Sequence, residues 1–196
     1  MSKRVHIISI SWGMKRDIPV ICRPIKEAIS RNILIFACAS NAGANYNITF
    51  PARLPRVFCI GSADGLGTQS DFSPPFPGEE KFSALGEAVL GARSGTDGEI
   101  RKDGTSISTP IAAGLAALLI QYTRQFTPKG HGADTYDNMR KLFFAISKST
   151  EGKDYRYLAI GVLFETGDPE ARIKRILNSP LGTTNPKTKL LMLRRS

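Results

Sequence analysis

The chain is poor in the residues that most often announce chemistry on their own. It has two histidines, three cysteines and one tryptophan in 196 residues. The cysteines, Cys22, Cys38 and Cys59, are odd in number and match no metal-ligand spacing. That argues against a disulfide framework and against a zinc site. Cys38 and Cys59 stand inside apolar runs and read as small core residues. No block of Lys and Arg is dense enough for a nucleic-acid arm, and no aromatic ladder suited to base stacking accompanies the basic stretches. The apolar run at residues 111–120 falls well short of the ~20 residues a bilayer span needs. The opening residues, basic and then apolar, lack a small-residue cleavage site and read as the approach to a strand. These absences lead us to expect a cytoplasmic protein with no membrane and no specific nucleic-acid partner.

What the sequence does contain is enough apolar residue, 41%, to build a globular core. The net charge is +10, most of it carried after Thr123, and reads as a solvated basic surface. Residues 5–10 form an apolar, β-branched run that ends at Ser11-Trp12-Gly13, a buried strand followed by a turn. Asp17 and Pro19 mark a helix start, and Ile21, Ile25, Ala28 and Ile29 recur at helical spacing, predicting a helix over 18–31. Residues 33–39 are a second buried strand. Strand, helix and strand with short connections predict a parallel βαβ unit. Further short strands are expected at 57–61 and 88–91, with residues 62–86 mostly loop. Residues 106–124 are the strongest helix. Beyond a polar break, Asp134 or Thr135 starts another, with Met139, Leu142, Phe143 and Ile146 as its buried stripe. Asp168-Pro169-Glu170 opens a last one, with Ile173, Ile176 and Leu177 on one face. Residues 179–196 read as loosely ordered.

The informative segment is Gly104-Thr105-Ser106-Ile107-Ser108-Thr109-Pro110-Ile111-Ala112-Ala113-Gly114. A glycine turn delivers Ser106 to the start of a helix, where unpaired N–H groups and the positive end of the helix dipole favour negative charge. Pro110 is expected in the first turn, where its missing N–H costs little. On physics alone, an ordinary N-cap before an alanine-rich helix is the favoured reading of Ser106. Likewise, Asn41-Ala42-Gly43 reads as a turn after a strand.

The serine segment resembles, nearly position by position, the serine motif of subtilisin-like proteases. Phe36-Ala37-Cys38-Ala39-Ser40-Asn41-Ala42-Gly43 resembles the strand end that holds this family's oxyanion-hole asparagine, and Ser11-Trp12-Gly13 its substrate-pairing Ser-Leu-Gly segment. Pro51-Ala52 with Val57-Phe58-Cys59-Ile60-Gly61 resembles a further stretch, with Phe50 in place of tyrosine. The resemblance runs in unbroken order over residues 5 to about 124. It implies a serine endopeptidase in which Ser106 is the nucleophile and Asn41 an oxyanion donor. Ser11, Trp12 and Gly13 would pair with an extended peptide, and Cys38, Ala39 and Ser40 would form the facing wall of the specificity pocket. It implies no cofactor, and no metal-ligand cluster carries over.

A serine nucleophile needs a base and an orienting carboxylate, which in this family precede the serine in the order Asp, His, Ser. Only ten residues precede Ser11. His6 stands on the strand before it, and His131 follows Ser106 in the wrong order. The expectation is therefore a three-layer α/β fold, a parallel sheet flanked by helices, with its N-terminal part missing. Residues 1–126 would be a partial peptidase domain and 127–196 a helical extension. The chain alone is expected to be inactive. Its partners would be a peptide or protein substrate and either the missing half or a fused domain. The alternative is a non-catalytic peptide-binding or vestigial module.

Overall fold

The structure, a computed structural model, describes residues 5–45, 47–75, 81–149, 155–165 and 167–180. The opening four residues and the patternless tail past 180 lie outside the described residues. Strand β1 (Ile7–Ile10), helix α1 (Pro19–Ser30) and strand β2 (Leu34–Cys38) form the expected βαβ unit, with β1 and β2 parallel and Ile7 opposite Leu34. Strands β3 (Val57–Ala63) and β4 (Phe82–Leu85) follow in parallel. Strands β5 (Val89–Ala92) and β6 (Glu99–Lys102) make a separate antiparallel hairpin. Helix α2 (Thr105–Thr123) then crosses the sheet, and α3 (Tyr136–Ile146) follows. Strands β7 (Ser147–Ser149) and β8 (Arg156–Leu158) and helix α4 (Pro169–Asn178) complete the order. The main sheet runs β1-β2-β3-β4-β8-β7, parallel except for the last pair.

Strand alternation divides the core into two layers. Leu34, Phe36, Phe58, Ile60 and Phe82 face α2 and α3. Ile35, Ala37, Ala39, Val57 and Cys59 face the α1 side. A sheet buried on both faces explains why β2 and β3 read as continuous apolar runs with no polar alternation. The fold is thus the three-layer α/β architecture, with β1 paired on one side only among the described residues.

Several local expectations are corrected. Ile18, not Asp17, is the N-cap of α1 and makes no side-chain cap; the Asp17 carboxylate is taken by Arg53 instead. Strand β6 was not foreseen, because all its side chains are exposed and it carries no apolar signal. The stretch after 127, expected to be helical, also contributes β7 and β8. Strand β8 pairs with β4, and α3 joins the same core as β2 to β4. These strands are three residues each, too short to show a period. Of the small residues on α2, Ala112, Ala113 and Ala116 meet the sheet while Gly114 and Ala117 are exposed. By length and composition α2 could cross a membrane, yet 44% of that window is buried, and the helix packs against β1 to β4.

Thr135 caps α3 by accepting the Asn138 N–H at 3.3 Å, and Asp168 caps α4 by accepting that of Glu170 at 2.9 Å. Phe143 of α3 is fully buried, with its ring centroid 5.9 Å from Phe36, 5.5 Å from Phe58 and 5.3 Å from Phe82. Such pairs add ~0.5–1.5 kcal/mol each to simple area burial. Phe143→Ala should therefore lower stability by about 3–5 kcal/mol in urea unfolding. A loss under ~1 kcal/mol would mean that α3 is not integral to this core.

Candidate active site

In a parallel sheet the carboxyl ends of the strands open on one side, and ligands of such folds bind there. Strand β1 delivers Ser11, Trp12 and Gly13 to that side, and β2 delivers Cys38, Ser40 and Asn41. The N-terminal turn of α2 delivers Thr105 and Ser106. All eight line one cleft of about 260 Å³, together with Thr49. Ala39 is placed otherwise. It is fully buried on the α1 side, its N–H bonds to Ile60 O at 3.0 Å, and its carbonyl accepts the N–H of Thr49 at 3.0 Å.

The site is built around Asn41 and the turn into α2. Asn41 Oδ1 accepts both the Thr105 N–H at 2.8 Å and the Thr105 hydroxyl at 2.9 Å. The same hydroxyl lies 3.2 Å from Ser40 O. With its oxygen engaged twice, the amide has one orientation, and Nδ2 is left as a directed donor with no acceptor among the described residues. Gly104 sits at φ +145°, where L side chains are strained. A side-chain carbon there would lie 3.0 Å from Asn41 Nδ2 and 3.1 Å from Ser106 Oγ. The donor and the hydroxyl therefore flank one small space, which the glycine leaves empty. Gly86 supports the turn from behind: its carbonyl accepts the Gly104 N–H at 2.8 Å, and a β-carbon on it would press to 2.9 Å from Gly104 O.

Ser106 is the second residue of α2, not the first, and Pro110 is the sixth, beyond the first turn. In an α-helix the N–H of residue i bonds to the carbonyl of i−4. Pro110 has no N–H, so the carbonyl of Ser106 loses its helical partner. Ser11 supplies one: its hydroxyl donates to Ser106 O at 2.8 Å. The end of β1 is thereby tied to the backbone of Ser106. Cys38 stands in the same cleft. Burial pushes its thiol up, and hydrogen bonding to the backbone and to the Thr105 side chain only partly offsets this. It stays a neutral thiol near neutral pH, so Ser106 has no competing thiolate beside it.

Neither histidine comes near. His6 lines a cavity with Arg124 and Thr127, at the far end of α2 from Ser106. His131 lies in the loop after α2, with Nδ1 3.4 Å from Lys129 O. The 19 residues of α2 span roughly 28 Å at 1.5 Å per residue. The sequence reading missed Thr105 as the anchor of Asn41, and Thr49 altogether. Thr105 was within sight, in the residue before Ser106; nothing local marks Thr49.

If Ser11 stands in for the missing amide of residue 110, Ser11→Ala should cost about 1 kcal/mol of stability. In a Pro110→Ala background the cost should shrink, because residue 110 regains an N–H aimed at Ser106 O. Urea unfolding of the four proteins of this double-mutant cycle measures the coupling. Equal losses in both backgrounds would show the two groups to be independent.

Comparison with known proteins points to one family. The model of the subtilase family, peptidase S8, matches residues 1–151. The major intracellular serine protease of Bacillus subtilis (strain 168) is 26% identical over 172 residues, which is 81% of this chain and 51% of that protein. Alkaline elastase YaB of Bacillus sp. (strain YaB) is 31% identical over 117 residues, 60% of this chain and 30% of the elastase. The chain thus spans about half, or less, of these curated relatives. Among solved structures, the self-cleaved protease domain of PatA superposes with a TM-score of 0.70 at 28% identity, covering 87% of this chain and 62% of that one. The prenylagaramide maturation protease PagA gives 0.69 at 27%, covering 83% and 62%. On the match of the family model over most of its length, the chain belongs to the subtilase family.

Proposed function

We propose that this chain carries the nucleophile and oxyanion half of a serine endopeptidase site. Ser106 Oγ attacks a peptide carbonyl, and the oxygen that gains charge is held by Asn41 Nδ2 and the Ser106 N–H. The observation that carries the proposal is the double anchoring of Asn41 Oδ1 on Thr105, which leaves Nδ2 facing the space beside Ser106 Oγ. The helix dipole of α2 adds to the stabilisation. Ser11, Trp12 and Gly13 would hold the peptide on one side, and Cys38 and Ser40 on the other. The subtilase relatives support this reading, and the intracellular one supports a cytoplasmic setting.

The base and its orienting carboxylate are not in the cleft. In the proposal they come from another segment or a partner chain, and the 196 residues by themselves are close to inactive. In subtilisin, itself a member of this family and the source of the magnitude, a site without its triad keeps about 10³–10⁴-fold acceleration over water. The distance of both histidines from Ser106 favours a second reading, a cleft that binds peptides without cutting them.

A fluorogenic peptide assay on the purified chain separates the two. For the enzymatic reading, hydrolysis should be very slow, should rise with added imidazole as a diffusible base, and should vanish in Ser106→Ala. A rate indifferent to imidazole and to Ser106→Ala would leave only the binding reading. Fast turnover by the chain alone, lost in Ser106→Ala, would overturn the expected inactivity.

A further inference from the structure

A cavity of about 630 Å³ lies at the end of α2 remote from Ser106. Three separate stretches of chain build it: the approach to β1 with His6, the turn after α1 with Arg31, and the loop after α2 with Arg124, Lys129 and Asp134. The lining carries three permanent cations, Arg31, Arg124 and Lys129, against the one carboxylate of Asp134. Arg31 is paired with Glu27. Arg124 and Lys129 have no carboxylate partner among the described residues. Asp134 is engaged by its own loop: one oxygen accepts the Gly130 N–H at 3.3 Å, and the other is buried. The loop that carries Lys129 is pinned. The Asn138 amide donates to His131 O at 3.2 Å and to Gly132 O at 2.9 Å, and the Ala133 N–H donates to Thr123 Oγ1 at 3.0 Å. Gly132 has no room for a side chain, since a β-carbon there would lie 2.8 Å from Thr123 Oγ1. The cations thus stand on a backbone fixed before any ligand arrives, which lowers the ordering cost of binding.

We propose that this cavity binds a sugar phosphate, with the phosphate held by Arg124 and Lys129. The phosphate follows from charge. A guanidinium and an ammonium without carboxylates of their own recognise phosphate oxygens through charge-assisted hydrogen bonds. The need for a body beyond the phosphate follows from size. Cavities of ~300–1,000 Å³ take ligands of cofactor size, and a bare phosphate would leave most of this one to water. The polar nature of that body follows from the lining, in which no phenylalanine, tyrosine or tryptophan offers a face for a nucleobase to stack on. Asn32 and Thr127 line the same space and suit hydroxyl groups as partners. The site is independent of the cleft and stands even if the cleft does no chemistry.

Isothermal titration calorimetry of the full chain at fixed ionic strength, with glucose 6-phosphate, glucose and inorganic phosphate as probes, tests this. Glucose 6-phosphate should bind about tenfold more tightly than inorganic phosphate, and glucose should give no binding heat. Arg124 and Lys129 are exposed, so their substitution leaves the core untouched. Arg124→Gln and Lys129→Gln should each weaken glucose 6-phosphate about tenfold, the loss expected when a hydrogen bond to a charged group is removed. Lys26→Gln, at an exposed position of α1, should leave the affinity unchanged. Equal affinity for glucose 6-phosphate and inorganic phosphate, or equal weakening by all three substitutions, would reduce the cavity to a general positive field and overturn the proposal. Absence of glucose 6-phosphate binding, or binding unmoved by Arg124→Gln and Lys129→Gln, would overturn it as well.

Discussion

Two hydrogen bonds onto one oxygen hold this site together. Asn41 Oδ1 takes the N–H and the hydroxyl of Thr105, and this joins the end of β2 to the first turn of α2 across 64 residues of sequence. The bonds decide which way the Asn41 amide points. They also set the height of the α2 turn against the sheet, and so the place of Ser106. Without them the amide could rotate, and its nitrogen would be no better placed than any solvated donor. The electrostatic value of an oxyanion site lies in donors that need no reorganisation as charge develops, and in the proposed site that order would come from a neighbouring threonine.

The remainder of the site repeats the same economy. Pro110 removes the bond that would have closed the Ser106 carbonyl into the helix, and Ser11 replaces it from β1. Strand β1 is thereby joined to the backbone of Ser106 itself. Gly104 and Gly86 are required for a different reason, since each occupies a point where a β-carbon would crowd the turn. Behind them, the phenylalanine cluster around Phe143 fixes α3 against the sheet face on which α2 lies. Core packing thus sets the distance from sheet to helix, and the polar bonds at the carboxyl ends of β1 and β2 turn that distance into a site.

Elements with a long apolar signal were legible in the sequence. Strands β2 and β3, helix α2 and the buried stripe of α3 follow directly from runs and spacings that burial on one or both faces imposes. The caps Thr135 and Asp168 were legible for a local reason, because a side chain two or three residues away can satisfy a helix N–H. Where a partner came from elsewhere, local reading failed. Asp17 looked like a cap, but Arg53 claims its carboxylate. The exposed β6 and the three-residue β7 and β8 had no pattern to show.

For the site, the sequence by itself determined the residue types and their order: a glycine turn, a serine at a helix start, a proline four residues on, and an asparagine after a buried strand. It also determined that both histidines fall outside the positions this family uses for its base. Only the tertiary structure decided that Asn41 faces Ser106, that Ser11 satisfies the Ser106 carbonyl, that Ala39 turns into the core, and that Thr49 joins the lining of the cleft. The physical reason is range. Helix and strand periods arise from contacts within a few residues. The bond from Ser11 spans 95 residues, and its existence depends on which strands lie side by side and how far each runs.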